Sequence, residues 1–265
     1  MGTTDIGTIN ALARQLKDTL GLRTRPIAVK FYESEADIPA DAIFPKRDIG
    51  KKAAFCQATT LARMKGKTVA MGKDDHWCWN PMVSFGTVKA EVGEPAGDLI
   101  VSVLGIADEE KARAFWNGFP KLPFGKFPYV VVAPLESATF EPDVVMVYSD
   151  THQVVWEIGA IRFMTGDYVR SQFDSIDSCI HAIIEPMQNG EYKITFPDPG
   201  DRARALARED EVILSMPGAR FPEFVEGVLK TEFMYSNLQR EIGIEFENEV
   251  PPFYHELFKI WGTEE

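Results

Sequence analysis

Two parts of the chain contain similar short motifs, here called landmarks, in the same order. This feature most restricts how the chain can fold. "PIAVKFYES", which begins at Pro26, is similar to "PDVVMVYSD", which begins at Pro142. Each stretch precedes a predicted helix that ends in a glycine, at Gly66 and at Gly166. A cysteine follows each glycine, and a Pro-Met pair follows each cysteine. The two parts of the chain therefore share four landmarks in one order.

A fifth landmark is a pair of apolar runs, "DLIVSVLG" and "DEVILSMPG". We predict that the first lies in a buried strand over 98–107 and that the second is also a strand. One such match arises by chance, but five in the same order indicate an ancient duplication. Interfaces between related halves form clefts, so we expect a functional site where the two halves meet.

The predicted architecture is α+β, a single domain over residues 1–265. It consists of two related α/β halves, 24–125 and 140–232, arranged about a pseudo-twofold axis. We also predict an N-terminal helix over 5–20, where apolar residues recur at helical spacing, and a C-terminal arm over 245–265.

The charge and cysteine content exclude several classes of protein. The chain of 265 residues has 28 basic and 40 acidic side chains, a formal net charge of −12, which argues against binding to nucleic acid or to an anionic membrane surface. No apolar run reaches the length of a membrane span, and no basic segment followed by an apolar run opens the chain. Three cysteines are an odd number, which argues against a disulfide framework. We therefore expect a soluble cytoplasmic protein.

Cys56, Cys78 and Cys179 are the candidate metal ligands. The repeat predicts that Cys78 and Cys179 occupy matching positions, with Cys56 as an unmatched third thiol. Three thiolates without a fourth cysteine suit an iron–sulfur cluster with one open iron, or a zinc ion with an open or histidine-filled position. There is no C-x-x-C pair, so the fold must bring distant segments together. The alternative is that each cysteine is a small buried hydrophobic residue, and this alternative stays open.

The residues around Cys78 allow more than one role. Trp77 and Trp79 flank the cysteine, and we expect them either to shield a metal centre from water or to form part of the core. His76 is a candidate metal ligand or proton donor and acceptor, with a surface position as the alternative. In "FPDPGDR" a rigid turn precedes Arg202, which is a candidate clamp for a substrate carboxylate or else a partner in a local salt bridge.

The motifs together resemble a known family. They are "RPIAVKF", "CQATTLARMKG", "HWCWNPMVSFG", "PDVVMVYSD", "SCIHAIIEPM", and "GDR" followed by "DEVILSMPG". In this order they are similar to the prokaryotic domain-of-unknown-function family 169, over Pro26 to Leu229. The resemblance implies one fold unit and recurrent cysteines, and it implies no reaction. The resemblance also implies that many members carry a cysteine within a C-x-G-x-R segment; the matching stretch here is "PDPGDR", with Asp198 in the cysteine's place.

The leading functional hypothesis is a cytoplasmic enzyme with a three-cysteine metal site. An iron–sulfur cluster with an open iron would serve as Lewis acid or redox centre on a small-molecule substrate, with a lyase, hydrolase or oxidoreductase reaction left open. His76 would transfer a proton and Arg202 would hold substrate charge. The alternatives are a non-catalytic metal- or metabolite-binding protein for delivery or sensing, or cysteines that only fill the core. The oligomeric state stays open, with a homo-oligomer among the options.

Overall fold

The computed structural model describes residues 5–176, 178–235 and 252–262. The chain separates into two compact units, residues 1–232 and residues 233–265. The first unit contains the whole sheet and the three cysteines. None of the helices in the described ranges is long and apolar enough to cross a membrane.

The described strands are β1 Ile27–Tyr32, β2 Val69–Met71, β3 Tyr129–Pro134, β4 Val144–Asp150, β5 Lys193–Thr195 and β6 Glu211–Pro217. The described helices are α1 Ile6–Leu20, α2 Phe55–Lys65, α3 Trp79–Ser84, α4 Pro95–Val103, α5 Glu109–Asn117, α6 Thr151–Thr165, α7 Ser178–His181, α8 Ile184–Asn189, α9 Pro199–Arg204, α10 Phe221–Lys230, α11 Glu232–Tyr235 and α12 Pro252–Trp261.

The strands form one sheet in the order β2-β3-β1-β4-β6-β5, and every neighbouring pair is antiparallel. β1 and β4 meet at its centre, where Ile27 pairs with Met146. Most residues of β1, β3, β4 and β6 are buried, so these strands are covered on both faces and read as continuous apolar runs. The fold is therefore a mixed α/β structure with a single antiparallel sheet.

The order of strands is the same in the two halves of the sheet. In the first half β1 pairs with β3 and β3 with β2; in the second half β4 pairs with β6 and β6 with β5. The first strands of the two halves, β1 and β4, adjoin each other antiparallel, as a local twofold relationship requires. Descent of the two halves from one ancestral unit remains a prediction.

The strand predicted over 98–107 is wrong, because this run forms the helix α4. Pro95 occupies the first turn, a position at which proline favours a helix. Ile100 and Val101 are buried whereas Leu99 and Val103 are exposed, which is the one-sided burial of a surface helix. The fifth landmark thus pairs a helix with a strand. In the order of strands the position of β6 corresponds to that of β3, which lies outside the predicted half 24–125.

The predicted equivalence of Cys78 and Cys179 is also wrong by position in the topology. Cys78 follows β2, the second strand of the first half, whereas Cys179 precedes β5, the second strand of the second half. β2 lies between Gly66 and Cys78, whereas the segment after Gly166 leads into α7, so the matching distances do not reflect matching structures.

The N-terminal helix is present as α1, between an Asp5 cap that accepts the backbone N–H of Thr8 and Gly21, whose φ of 65° is in the left-handed region. Of the predicted C-terminal arm, 245–251 and 263–265 lie outside the described residues, and α12 occupies most of the remainder.

Candidate functional site

A cavity of about 280 Å³ is lined by Cys56, Cys78 and Cys179 together. We call it the cysteine cavity. Cys56 is the second residue of α2, Cys78 is the cap residue that precedes α3, and Cys179 is the second residue of α7. Three segments that are far apart in sequence therefore supply one thiol each to the lining.

Packing of short helices on the sheet explains why these segments meet. α3 packs against α7, which brings Cys78 towards Cys179, and α2 packs against α9, which closes the side on which Cys56 lies. Asn80 Nδ2 donates a hydrogen bond of 3.0 Å to the carbonyl of Ile176, just ahead of α7. Hydroxyl Oγ1 of Thr60 donates to the carbonyl of Ala205, just after α9. These contacts fix the walls of the cavity independently of any ligand.

The thiols of Cys56 and Cys179 are strongly disfavoured as thiolates. Burial raises the pKa of the Cys56 thiol well above its usual value, and the negative charges of Asp201 and Asp198 raise it further. Burial likewise raises the pKa of the Cys179 thiol, with additional contributions from Asp198, Cys78, Asp201 and Cys56. Both thiols are therefore neutral at pH 7 in the protein alone, and neither is an activated nucleophile.

Over residues 5–176, 178–235 and 252–262, no three histidine, cysteine or acidic side chains form a ready-made group for one metal ion. Thiolates of a tetrahedral zinc site lie about 2.3 Å from the metal. Coordination of a single ion would therefore require the three side chains to turn inward, whereas in a cluster each thiolate binds a different iron.

Trp77 and Trp79 both line the cysteine cavity. Trp77 is 42% exposed and stands at the mouth, where its Nε1 donates a hydrogen bond of 3.3 Å to Gln57 Oε1. Trp79 is half-buried and packs edge-on against the buried Trp116, with ring centres 5.5 Å apart. One tryptophan is thus anchored in the core and the other borders solvent.

His76 and Arg202 do not line the cavity. The His76 ring is buried against Phe85, its two nitrogens have no hydrogen-bond partner within the described part of the chain, and burial lowers its pKa to about 4. Arg202 donates from Nε to the carbonyl of Pro197 and from Nη1 to the carbonyl of Arg208, so its guanidinium fastens the loop around α9. Their catalytic roles remain predictions without a position at the cavity to support them.

Asp198 and Arg204 line the cavity although neither was chosen as a site residue from the sequence. Asp198 caps α9: its Oδ1 accepts the backbone N–H groups of Gly200 and Asp201. Its Oδ2 accepts a hydrogen bond from the Ser178 hydroxyl, which also contacts the carboxyl of Asp201. The available signal was the Asp-Pro-Gly sequence, which is typical of a helix start and says nothing about a cavity.

Asp198 also corresponds to Cys78 by its place in the topology. Cys78 caps α3, the first helix after β2, and Asp198 caps α9, the first helix after β5. Because β2 and β5 are the corresponding strands of the two halves, the two cap residues occupy related positions and face one cavity.

The fold and the cavity define an α/β protein with a single antiparallel sheet and a thiol-lined pocket among its short helices. The chain belongs to domain-of-unknown-function family 169, described as uncharacterised ArCR, whose profile matches residues 15–227. This confirms the resemblance found in the sequence. The chain is also similar to an uncharacterised protein of Methanocaldococcus jannaschii, with 24% identity over 227 residues, which cover 84% of this chain and 95% of the relative. No solved structure matches the chain.

Proposed function

We propose that the cysteine cavity binds an iron–sulfur cluster through Cys56, Cys78 and Cys179 and exposes it to a small molecule. The observation that carries the proposal is that the chain's three cysteines, from three separate segments, all line one cavity. Cysteines that merely filled a core would have no reason to share one solvent-connected space. Thiolates are the soft ligands that iron–sulfur clusters require.

The charges next to the thiols support a positively charged guest at the sulfur atoms. Burial, followed by the negative charges of Asp198 and Asp201, raises the pKa of the Cys56 and Cys179 thiols, so a positive charge is favoured at these two sulfur atoms. A bound metal centre supplies such a charge, which stabilises the thiolates and displaces their protons. The same arrangement argues against a cysteine nucleophile, which needs a lowered thiol pKa.

The size of the cavity supports a cluster in preference to one zinc ion. A single ion needs only the space between its ligands, whereas 280 Å³ has room for a cluster and part of a small molecule. Zinc remains the alternative metal, because its sites accept the same thiolate ligands.

Asp198 is our proposed fourth donor. It lies on the cavity wall, and its place in the topology corresponds to that of Cys78. After burial, its negative charge makes the largest contribution to the raised pKa of the Cys179 thiol. A carboxylate is a weaker ligand for iron in a cluster than a thiolate, so one iron would be held less tightly than the other three. Such an iron would supply a Lewis acid or a redox centre.

In this proposal the remaining cavity residues shield the cluster and orient the small molecule. Trp79, anchored on Trp116, excludes water from the thiols, and Trp77 borders the entrance. A lyase, a hydrolase and an oxidoreductase remain compatible with this arrangement. A carrier or sensor without turnover is the second candidate, favoured by one observation: His76, the residue expected to transfer protons, is outside the cavity. Turnover of a bound small molecule separates the two.

The test is anaerobic purification followed by a visible spectrum and by iron, sulfide and zinc analysis. We expect sulfide and several irons per chain, a charge-transfer absorption, and loss of most of the metal in Cys56→Ser, Cys78→Ser and Cys179→Ser. Thr165→Ser, on α6 and outside the cavity lining, is the control and should keep the metal. Full metal occupancy in the serine variants, or no metal in the wild-type protein, would refute the proposal.

A further inference from the structure

The mouth of the cysteine cavity has one cation without an ion pair. Arg204 lines the cavity, is exposed, and forms no salt bridge with any residue that the structure describes. Its guanidinium carbon lies 4.9 Å from the centre of the Trp77 ring. A guanidinium over an aromatic face keeps its edge N–H groups available to an acceptor in its own plane. Trp77 thus positions the Arg204 guanidinium, whose N–H groups can donate two parallel hydrogen bonds to a ligand.

The rest of the entrance is largely apolar. Val103, Leu104, Ile176 and Pro81 line the cavity, and Val103 is 63% exposed in a position that borders solvent. Asp198, the acidic group of the lining, accepts hydrogen bonds from the backbone of α9 and from the Ser178 hydroxyl. A guest at this entrance therefore meets one positive charge and a broad apolar surface.

We propose that the cavity binds a small organic monocarboxylate, with its carboxylate on Arg204 and its apolar part along Trp77, Trp79 and Val103. One planar cation matches one planar anion of single charge, and a bidentate pair gives this contact its specificity. Phosphate would leave the apolar wall unused and would find a single cation for its higher charge. The inference rests on the proposed function in that it places this ligand beside the proposed cluster.

The volume also fits this class. Pockets for drug-sized ligands are roughly 300–1,000 Å³, and the cavity, at about 280 Å³, is slightly smaller than this range, which suits a small carboxylate. The strongly acidic chain repels anions elsewhere, since its formal charge is −12. The positive charge of Arg204 therefore favours an anion at this entrance.

The test is calorimetric titration of the metal-free and the anaerobically prepared protein with phenylacetate, with neutral phenylacetamide and with inorganic phosphate. We expect phenylacetate to bind at millimolar concentration or tighter, and the amide to bind about tenfold or more weakly, because it lacks the charge-assisted hydrogen bonds. Arg204→Gln should weaken phenylacetate binding about tenfold to hundredfold, and Arg204→Lys should give an intermediate loss. Arg208→Gln, an exposed arginine outside the lining, is the matched control and should bind as the wild-type protein does.

Three results would overturn the inference: equal binding by Arg204→Gln and wild type, equal binding of the acid and the amide, or no binding of phenylacetate. Binding of phosphate alone would also contradict it and would indicate a site for inorganic anions. Metal analysis of the same samples separates this inference from the proposed function. Carboxylate binding through Arg204 in a protein that holds no metal would leave the inference standing and remove the cluster. A metal-loaded protein that binds no carboxylate would support the cluster and refute the carboxylate site.

Discussion

The carboxyl of Glu157 and the hydroxyl of Ser149 form a fully enclosed pair between α6 and the end of β4, with 2.6 Å between Glu157 Oε1 and Ser149 Oγ. Oε2 of Glu157 is buried without a hydrogen-bond partner in the described structure. Burial raises the pKa of Glu157 to about 8, with a smaller contribution from the charge of Asp150. The folded protein therefore holds this side chain as a neutral acid through most of the physiological range.

This acid makes stability depend on pH in a defined window. In the unfolded chain Glu157 ionises near its usual pKa of 4.5, whereas in the folded protein it stays protonated to about pH 8. Its stabilising contribution is complete below about pH 4.5 and is lost as the pH rises towards 8, at a slope of about 1.4 kcal/mol per pH unit. We expect Glu157→Gln, which mimics the neutral acid, to abolish this slope in urea unfolding at pH 5, 6, 7 and 8.

The control is Glu110→Gln, at an exposed acid on α5, which should follow the wild-type curve. If the unfolding free energies of Glu157→Gln and wild type ran parallel across the window, Glu157 would be ionised in the folded state.

The ion pair of Arg63 and Glu211 ties the two halves of the fold together. Arg63 on α2 donates from Nη1 to Glu211 Oε1 at 2.9 Å, and the two side chains are only 0% and 3% exposed. The guanidinium also lies 4.1 Å from the ring centre of buried Tyr148. Arg63→Met strands the Glu211 carboxylate in the core, which costs about 3–5 kcal/mol of unfolding free energy.

Urea unfolding of Arg63→Met and of the double variant Arg63→Met/Glu211→Leu measures this effect. We expect the second substitution to restore most of the loss, since an apolar pair can replace a buried ion pair. Glu226 and Lys230 provide the surface comparison: both side chains are 53% exposed, and breaking this pair should cost less than about 1 kcal/mol. A single variant as stable as the wild type would show that Glu211 finds another partner or water.

His76 should make the stability of the folded protein depend on pH below neutrality. Its pKa in the folded state, about 4, is below the usual 6.5, mainly because of burial and also because of the charge of Lys52. The unfolded chain therefore takes up a proton that the folded protein refuses, and stability falls as the pH decreases from about 6.5 to about 4. His76→Leu should remove this dependence and leave the stability at pH 7 within about 1 kcal/mol, because the ring nitrogens are buried without partners.

The matched control for the acid titration is His152→Leu, at an exposed histidine on α6, for which we expect the wild-type pH dependence. A loss of several kcal/mol at every pH in His76→Leu would instead indicate that the imidazole makes an essential polar contact. Metal analysis of the same variant shows whether His76 contributes to the cavity indirectly.

The sequence was sufficient to predict those helices and strands whose apolar pattern agrees with the residues that begin and end them. β1 and β4 alternate or run apolar between turn residues, and α1 carries both an acidic cap and a glycine stop. The apolar run of α4 was mistaken for a strand because a short continuous run does not distinguish a buried strand from one face of a helix. β2 has three residues, too few for a period to be visible.

Some residues of the candidate site were likewise predictable from the sequence, and others were not. Cysteines are recognisable as ligands from their chemistry alone, so Cys56, Cys78 and Cys179 were candidates before any geometry was known. Arg204 was missed in favour of Arg202, because the side of a short helix that faces a cavity depends on how α9 packs against α2. No local pattern within six residues encodes that packing.

Asp198 gives the sharpest test of the proposed donor set, because its role as a helix cap is separable from a role as a ligand. As a cap it needs only an oxygen that accepts the N–H groups of Gly200 and Asp201, which the amide of asparagine also provides. As a metal donor it needs its negative charge. Asp198→Asn should therefore preserve thermal stability to within about 1 kcal/mol while the protein loses iron faster under chelation.

Asp198→Cys should behave in the opposite way. A fourth thiolate would hold the cluster more tightly, whereas cysteine is a poorer cap, so α9 should lose about 1 kcal/mol of stability. We expect iron to be released more slowly than from the wild-type protein, with a lower melting temperature when no metal is bound. The comparison is Asp108→Asn, which changes the exposed cap of α5 in the same manner outside the cavity lining. Equal rates of iron release from wild type, Asp198→Asn and Asp198→Cys would show that Asp198 only caps its helix and that the three cysteines hold the metal without it.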